Sequence, residues 1–217
     1  MRNLILIPLF FFTFCSLSGQ TEQNNRVIIL TDIEADPDDT QSLVRLLLYT
    51  NEIDVKGIVA TTSCWHKTMV NPESIRKVVR AYEKVQPNLA KHDAAYPKAE
   101  TLYPLIKSGL PEYGMQGVGK EKDSEGSDWI IRELESSDDR PLWISVWGGS
   151  NTLAQALYKI KNTKPETELK TLVAKLRVYA ISDQDDSGIW IRNNFPDLFY
   201  IVSPGDDYGS STWSSIN

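Results

Sequence analysis

The feature that most constrains this chain is the alternation of short, densely apolar runs with longer segments of helical period. RVIILT (26–31), IDVKGIVATTS (53–63), PLWISVW (141–147), LRVYAIS (176–182) and LFYIVS (198–203) are short and rich in β-branched or aromatic residues. Several are continuously apolar, the mark of strands buried on both faces. Between them, PDDTQSLVRLLLYT places Pro37 near a first helical position, with apolar residues at 43, 44, 46, 47 and 48. A second helical pattern opens at Asn71-Pro72 and carries Ile75, Val78, Val79, Tyr82 and Val85 on one face. SDWIIRELES and SNTLAQALYKI are two more. Strands alternating with helices imply right-handed crossovers, hence an α/β fold with a mostly parallel sheet and helices on both faces. Residues 91–127, with Pro, Gly and mixed charge, read as an irregular excursion rather than a second domain.

The polar residues gather at one end of these runs. The five strands run out into TDIEADPDD, TTSCWH, WGGSN, SDQDDSG and SPGDDYG, while their starts are ordinary loop material. In open parallel sheets ligands bind beyond the carboxyl ends of the strands, so five polar endings on one edge point to a site there. A formal net charge of −6 with no basic stripe argues against a nucleic-acid partner.

The first residues stand apart. Arg2 precedes LILIPLFFFTF, followed by the small residues Ser16, Ser18 and Gly19. A short positive end, an apolar stretch too short to span a bilayer and a small-residue cleavage site make a signal peptide at 1–19. The mature domain, 20–217, is then expected to be secreted or periplasmic, with no membrane attachment once the leader is removed. Loss of Cys15 would leave Cys64 alone, without an internal disulfide.

The densest signal is TDIEADPDDTQS. Asp32, Glu34, Asp36, Asp38 and Asp39 place five carboxylates in eight positions behind the first strand. Part of this is helix chemistry, with Asp36 as N-cap and Asp38 and Asp39 answering the helix dipole. That leaves Asp32 and Glu34 unexplained. An EF-hand loop fails, because counting from Asp32 its obligatory glycine falls on Pro37 and its twelfth position on Leu43. A phospho-aspartate phosphatase lacks a phosphate cradle nearby. A hard-cation site remains, since Ca²⁺ takes six to eight oxygens, carboxylates and backbone carbonyls among them.

Asp32, Glu34, Asp38 and Asp39 follow the D-x-D-x-x-x-D-D spacing, with Glu in the second place. In this the chain resembles the nucleoside hydrolase family, and WGGSNTLAQAL resembles the segment whose backbone carbonyl holds that family's metal. With YAISDQDDSG and IVSPG, the resemblance is closest to the nucleoside-hydrolase-like domain of secreted bacterial cellulose-binding proteins, over most of 26–217. The resemblance implies a Ca²⁺ site formed by Asp39, Glu34 and the Ser150 carbonyl. It implies Glu34 as the base that activates water, Asp38 and Asn151 as sugar-binding residues, and Asp32 in support. The implied function is hydrolysis of an N-glycosyl bond in a nucleoside or other sugar-containing substrate; a non-catalytic carbohydrate-binding domain is the alternative. Glu34 is one methylene longer than the family's Asp. The family's late metal aspartate has no counterpart, so the chain is expected to be incomplete at its C-terminus, with apolar surface uncovered beside the last strand.

Other candidates are open on the residues alone. Asp183, Asp185 and Asp186 either bind sugar hydroxyls or cap the GIWIRNNF helix. Trp65, Trp147, Trp190 and Trp213 lie on or near the polar edge, where they would stack on a base or a pyranose, or pack in the core. Trp129 and Trp143 are expected in the core. His66 reads as a solvated loop residue or a leaving-group acid, and Cys64 as a small buried residue. The sequence leaves the oligomeric state open.

Overall fold

The structure, a computed structural model, describes residues 23–203. The leader at 1–19, Trp213 and the expected C-terminal ligand lie outside the described residues. Six strands form one all-parallel sheet: β1 (Asn25–Thr31), β2 (Ile53–Ala60), β3 (Ile106–Ser108), β4 (Leu142–Val146), β5 (Leu176–Ala180) and β6 (Phe199–Val202), in the order β3-β2-β1-β4-β5-β6. The helices are α1 (Pro37–Leu47), α2 (Pro72–Leu89), α3 (Ala99–Leu102), α4 (Glu125–Leu134), α5 (Asn151–Thr163), α6 (Glu166–Lys175) and α7 (Ser187–Asn194). The α/β class and the five strands read from the sequence stand. The sequence reading missed β3, whose three residues bury one side chain, Ile106. It also missed α6, which buries only Leu172 and Val173. Neither carries enough apolar positions to show a period.

Two apolar layers sandwich the sheet. On one face α4, α5, α6 and α7 pack over the strands around Ile28, Leu30, Ile144, Val146, Val178 and Leu198. On the other, α1, α2 and α3 pack around Ile29, Ile58, Ala60 and Ile106, over β1, β2 and β3. There the layer stops. Tyr179, Phe199 and Ile201 of β5 and β6, on the face that α1 and α2 would have to extend to reach, are 44%, 46% and 42% exposed. Trp143 is half-buried on that same open half-face, in edge-to-face contact with Phe199 at 5.9 Å, rather than in the core.

The amino edge is closed by charge. Arg26, 1% exposed, donates to the Glu133, Asp138 and Arg140 carbonyls and pairs with the Glu133 carboxylate at 3.1 Å. Arg140 links Asp138 to Asp54, and this pairing holds the Asp138 carboxyl far below the usual range. These guanidinium pairs fix the strand starts and leave the carboxyl edge for function.

Candidate functional site

The site is built where β1 ends. Asp32 opens a turn closed by Ala35 N–H donating to its carbonyl at 2.9 Å. Glu34, third in that turn, takes φ 77°, a left-handed conformation that such corners usually reserve for glycine. Ile33, 1% exposed, anchors the turn, while the Glu34 side chain is exposed. Asp36 has the extended backbone of an N-cap, but its side chain makes no capping bond. Asp38 takes that role in part, accepting from Asp39 N–H at 2.8 Å.

The turn and helix start bring Asp32 and Asp39 together, each 6% exposed. Thr31 Oγ1 donates to Asp39 Oδ2 at 2.5 Å, and the Asp39 carboxyl also meets that of Asp32. Neither forms an ion pair among the described residues. Burial, and next the facing Asp32 charge, push the Asp39 carboxyl up to about 8. Burial raises the Asp38 carboxyl as well, helped by Asp32 and Asp36.

The β4 end packs directly on this pair. The Trp147 and Gly148 N–H groups point at the Leu30 carbonyl, at 2.8 and 3.4 Å, and Gly149 N–H donates to the Thr62 carbonyl at 2.8 Å. A Cβ on Gly148 would lie 2.8 Å from Asp32 Cβ, and one on Gly149 would lie 2.6 Å from the Thr62 carbonyl oxygen and collide with Asp185 Oδ2. The two glycines are thus required by close approach, which gives WGGSN a structural reason.

Several sequence candidates are placed otherwise than expected. Glu34 is directed to solvent, so the second carboxylate of the buried pair is Asp32 and not Glu34. Asn151, 2% exposed, is consumed internally: it accepts from Thr61 Oγ1 at 2.7 Å and donates to Thr62 Oγ1 at 3.0 Å and the Glu112 carbonyl at 2.7 Å. It braces loops and has no free donor for a sugar. The Ser150 hydroxyl bonds Ser187 at 2.7 Å, and its carbonyl accepts from Ala154 N–H in the first turn of α5. Asp183 forms a two-pronged ion pair with Arg192 at 2.9 and 2.7 Å, and Asp186 accepts from Met115 N–H, so both are structural.

Asp185 is buried, accepts from Ser187 N–H at 2.9 Å and from the Ser187 hydroxyl, and has a buried Oδ2 with no partner among the described residues. Burial raises its carboxyl above the ordinary range. Trp65 is 61% exposed and Trp190 half-buried against the core. Trp147 packs on the α1–α2 side and donates to Ser145 Oγ at 2.9 Å. Cys64 is half-buried, with its thiol pushed up by burial, an unreactive setting. His66 is also half-buried, its Nδ1 without a partner among the described residues. Two contributors were missed: Gln184, which ties β5 to the Trp147 carbonyl, and Tyr113, whose hydroxyl donates to the Gln184 carbonyl at 3.0 Å. Nothing in the irregular excursion announced Tyr113.

Would this edge suit Ca²⁺? In donor type and charge it does: two buried carboxylates, one pushed towards its neutral form by burial and the facing Asp32, meet a hard cation's preference for oxygen. In number the set is smaller than expected, because among the described residues no three His, Cys, Asp or Glu side chains group as a metal site.

An all-parallel sheet in this order, with acids gathered beyond β1, defines a nucleoside-hydrolase-like α/β domain. The chain belongs to the family described as "Cellulose-binding Sde182, nucleoside hydrolase-like domain", matched over residues 26–217. A similar solved structure is that of a nucleoside hydrolase-related hypothetical protein from Saccharophagus degradans associated with carbohydrate metabolism. It is 44% identical, with a TM-score of 0.81, and the match covers 86% of this chain and 47% of that one. The chain therefore spans about half the length of that protein. No curated protein matches.

Proposed function

We propose that this is a carbohydrate-binding domain that recognises sugar hydroxyls at the carboxyl edge, with a hard cation such as Ca²⁺ held by Asp32 and Asp39. The observation that carries the reading is the buried carboxyl pair, with Asp39 pushed up to about 8 and no ion-pair partner among the described residues. A cation there would displace the Asp39 proton and offer its remaining positions to hydroxyl oxygens. Half-buried Asp38 lies beside the pair to accept from a sugar hydroxyl. Exposed Trp65 offers a ring face for stacking. Gly148 and Gly149 let the β4 loop close on Asp32, and Asn151 braces that loop. The family description and the Saccharophagus degradans protein support a sugar as ligand. A leader at 1–19 and an extracytoplasmic address complete the reading.

Hydrolysis of a glycosyl bond is the second reading, and one observation favours it: a carboxyl with a pKa near 8 is poised for general acid–base work around neutrality. Against it, Glu34 stands exposed at a turn corner. Calorimetric titration with cello-oligosaccharides and nucleosides, in Ca²⁺ and in EDTA, separates the two. The expected result is oligosaccharide binding that EDTA and Asp39→Asn each weaken by at least about tenfold, a loss of ~1.4 kcal/mol. Release of free sugar, abolished by Asp32→Asn, would replace binding with hydrolysis. No affinity for any sugar would end both readings.

A further inference from the structure

Away from the carboxyl edge, the outer sides of α1 and α2 form a surface of their own. Leu43 and Leu47 of α1 and Ile75 and Val79 of α2 are buried against the sheet. Val44, Leu48 and Val85 instead stand 48%, 43% and 44% exposed. With Val78 and Ala81 they line a groove of about 190 Å³ between the two helices. The spacing is regular. Val44 and Leu48 lie one turn apart, and Val78, Ala81 and Val85 follow i, i+3, i+7. A groove with this period on both walls suits one more helix, laid in by its own apolar stripe.

Charge selects the occupant. α2 carries Arg76, Lys77, Arg80 and Lys84 against Glu73 and Glu83. Both acids are engaged, since Glu73 pairs with Arg76 at 3.2 Å and Glu83 accepts from the Tyr103 hydroxyl at 2.8 Å. Lys77, Arg80 and Lys84 form no ion pair among the described residues, and neither does exposed Arg45 of α1. The three α2 cations surround Ala81 along the groove's outer side. In a chain of net charge −6, this face has the opposite sign. A second copy offering the same face would bring cation against cation. A sugar would find an aliphatic floor without donors or acceptors. A membrane surface takes up apolar groups that project, not ones that line a hollow. An acidic polypeptide meets both the apolar floor and the basic rim.

We propose that the α1–α2 face docks an acidic amphipathic helix of a protein partner. Its apolar side chains at i, i+3 or i+4, and i+7 enter the groove between Val44, Leu48, Ala81 and Val85. Its carboxylates, two turns or ~10 Å apart, meet Lys77 and Lys84, which are spaced seven residues along α2. This face lies away from Asp32 and Asp39 and does not depend on the sugar-binding reading.

Fluorescence anisotropy with two fluorescein-labelled helical peptides of about four turns tests it. Both carry leucines at the stated spacing; one is flanked by glutamates and the other by lysines. The intact protein is expected to bind the glutamate peptide at least about tenfold more tightly than the lysine peptide, and less tightly as salt is raised. Lys77→Glu/Lys84→Glu should reverse that preference, and Val44→Ser/Val85→Ser should abolish binding of the glutamate peptide. All four substituted residues are exposed, so the variants should keep the parent's circular dichroism and Tm. No binding of the glutamate peptide overturns the proposal, as does an unchanged preference in the charge-reversed variant. Displacement of the peptide by phosphatidylglycerol vesicles would assign the face to an anionic membrane instead. Self-association of the parent that Val44→Ser/Val85→Ser abolishes would assign it to a second copy, and either result overturns the proposal.

Discussion

Replacing Asp39 by Asn isolates the energetics of the buried pair. The Asp39 carboxyl is raised from an ordinary 3.8 to about 8 in the folded protein, so between those values the folded state keeps a proton that the unfolded chain has lost. Stability is therefore fully present below pH 4, falls as pH rises towards 8, and levels off above it. Each unit of pH across that window costs on the order of 1 kcal/mol, so a few kcal/mol are lost between pH 5 and pH 7. Asp39→Asn is neutral at every pH and keeps an oxygen for the Thr31 hydroxyl. In EDTA, urea denaturation of parent and variant at pH 5, 6, 7 and 8 should show the variant gaining on the parent by that amount from pH 5 to pH 7. Asp185 and the other groups away from Asp39 are common to both proteins and cancel in the difference. Adding Ca²⁺ at pH 7 should restore the parent and leave the variant unmoved. Two parallel stability curves across pH 5–8 would refute the idea that Asp39 is held protonated.

Three further outcomes follow from close contacts. Gly148→Ala and Gly149→Ala press a methyl against Asp32 and the Thr62 carbonyl, and each should destabilise by ~1–3 kcal/mol in thermal melts. Asn151→Ala takes the shortest hydrogen bonds from the buried Thr61 hydroxyl and the Glu112 carbonyl and leaves them with longer ones to the Gly149 carbonyl, Thr152 and Thr62, so a loss of ~1–3 kcal/mol is expected, with no protection by added sugar. Glu34→Gly should hold or raise stability, by up to ~1 kcal/mol, because it relieves a left-handed corner; a large loss of stability would show that the Glu34 side chain is held in place.

The sheet was legible because its strands are buried on both faces and announce themselves as dense apolar runs. Ile28, Leu30, Ile144 and Val146 could hardly sit elsewhere. The third strand escaped because IKS borrows its order from β2 and buries only Ile106. The Ser124–Ser127 capping box escaped for another reason, since a Ser at the third position supplies the reciprocal bond where Glu or Gln is the usual signal. At the site, spacing identified the acidic segment but not which of its carboxylates face one another. A motif fixes distances along the chain, whereas turn geometry decides which side chains face inward. With Ile33 buried and Glu34 at the positive-φ corner, Glu34 turns to solvent and Asp32 is left opposite Asp39.

The same logic separates the two acidic loops, which look alike in print. Asp185 and Asp39 are equally buried, at 6% exposure, and burial raises both. Asp185 meets donors: the Ser187 amide and hydroxyl both stabilise its charge, and Gln184 and Ser187 tie its loop to β4. Asp39 has the Thr31 hydroxyl, the Asp32 carboxyl opposite it and a like charge on Asp38. Donors around a buried acid make it part of the scaffold, whereas acids around a buried acid leave charge to be met from outside. That asymmetry puts the stronger demand for positive charge at the end of β1, while one oxygen of Asp185 is tied to Ser187 and the other, Oδ2, stays buried without a partner among the described residues.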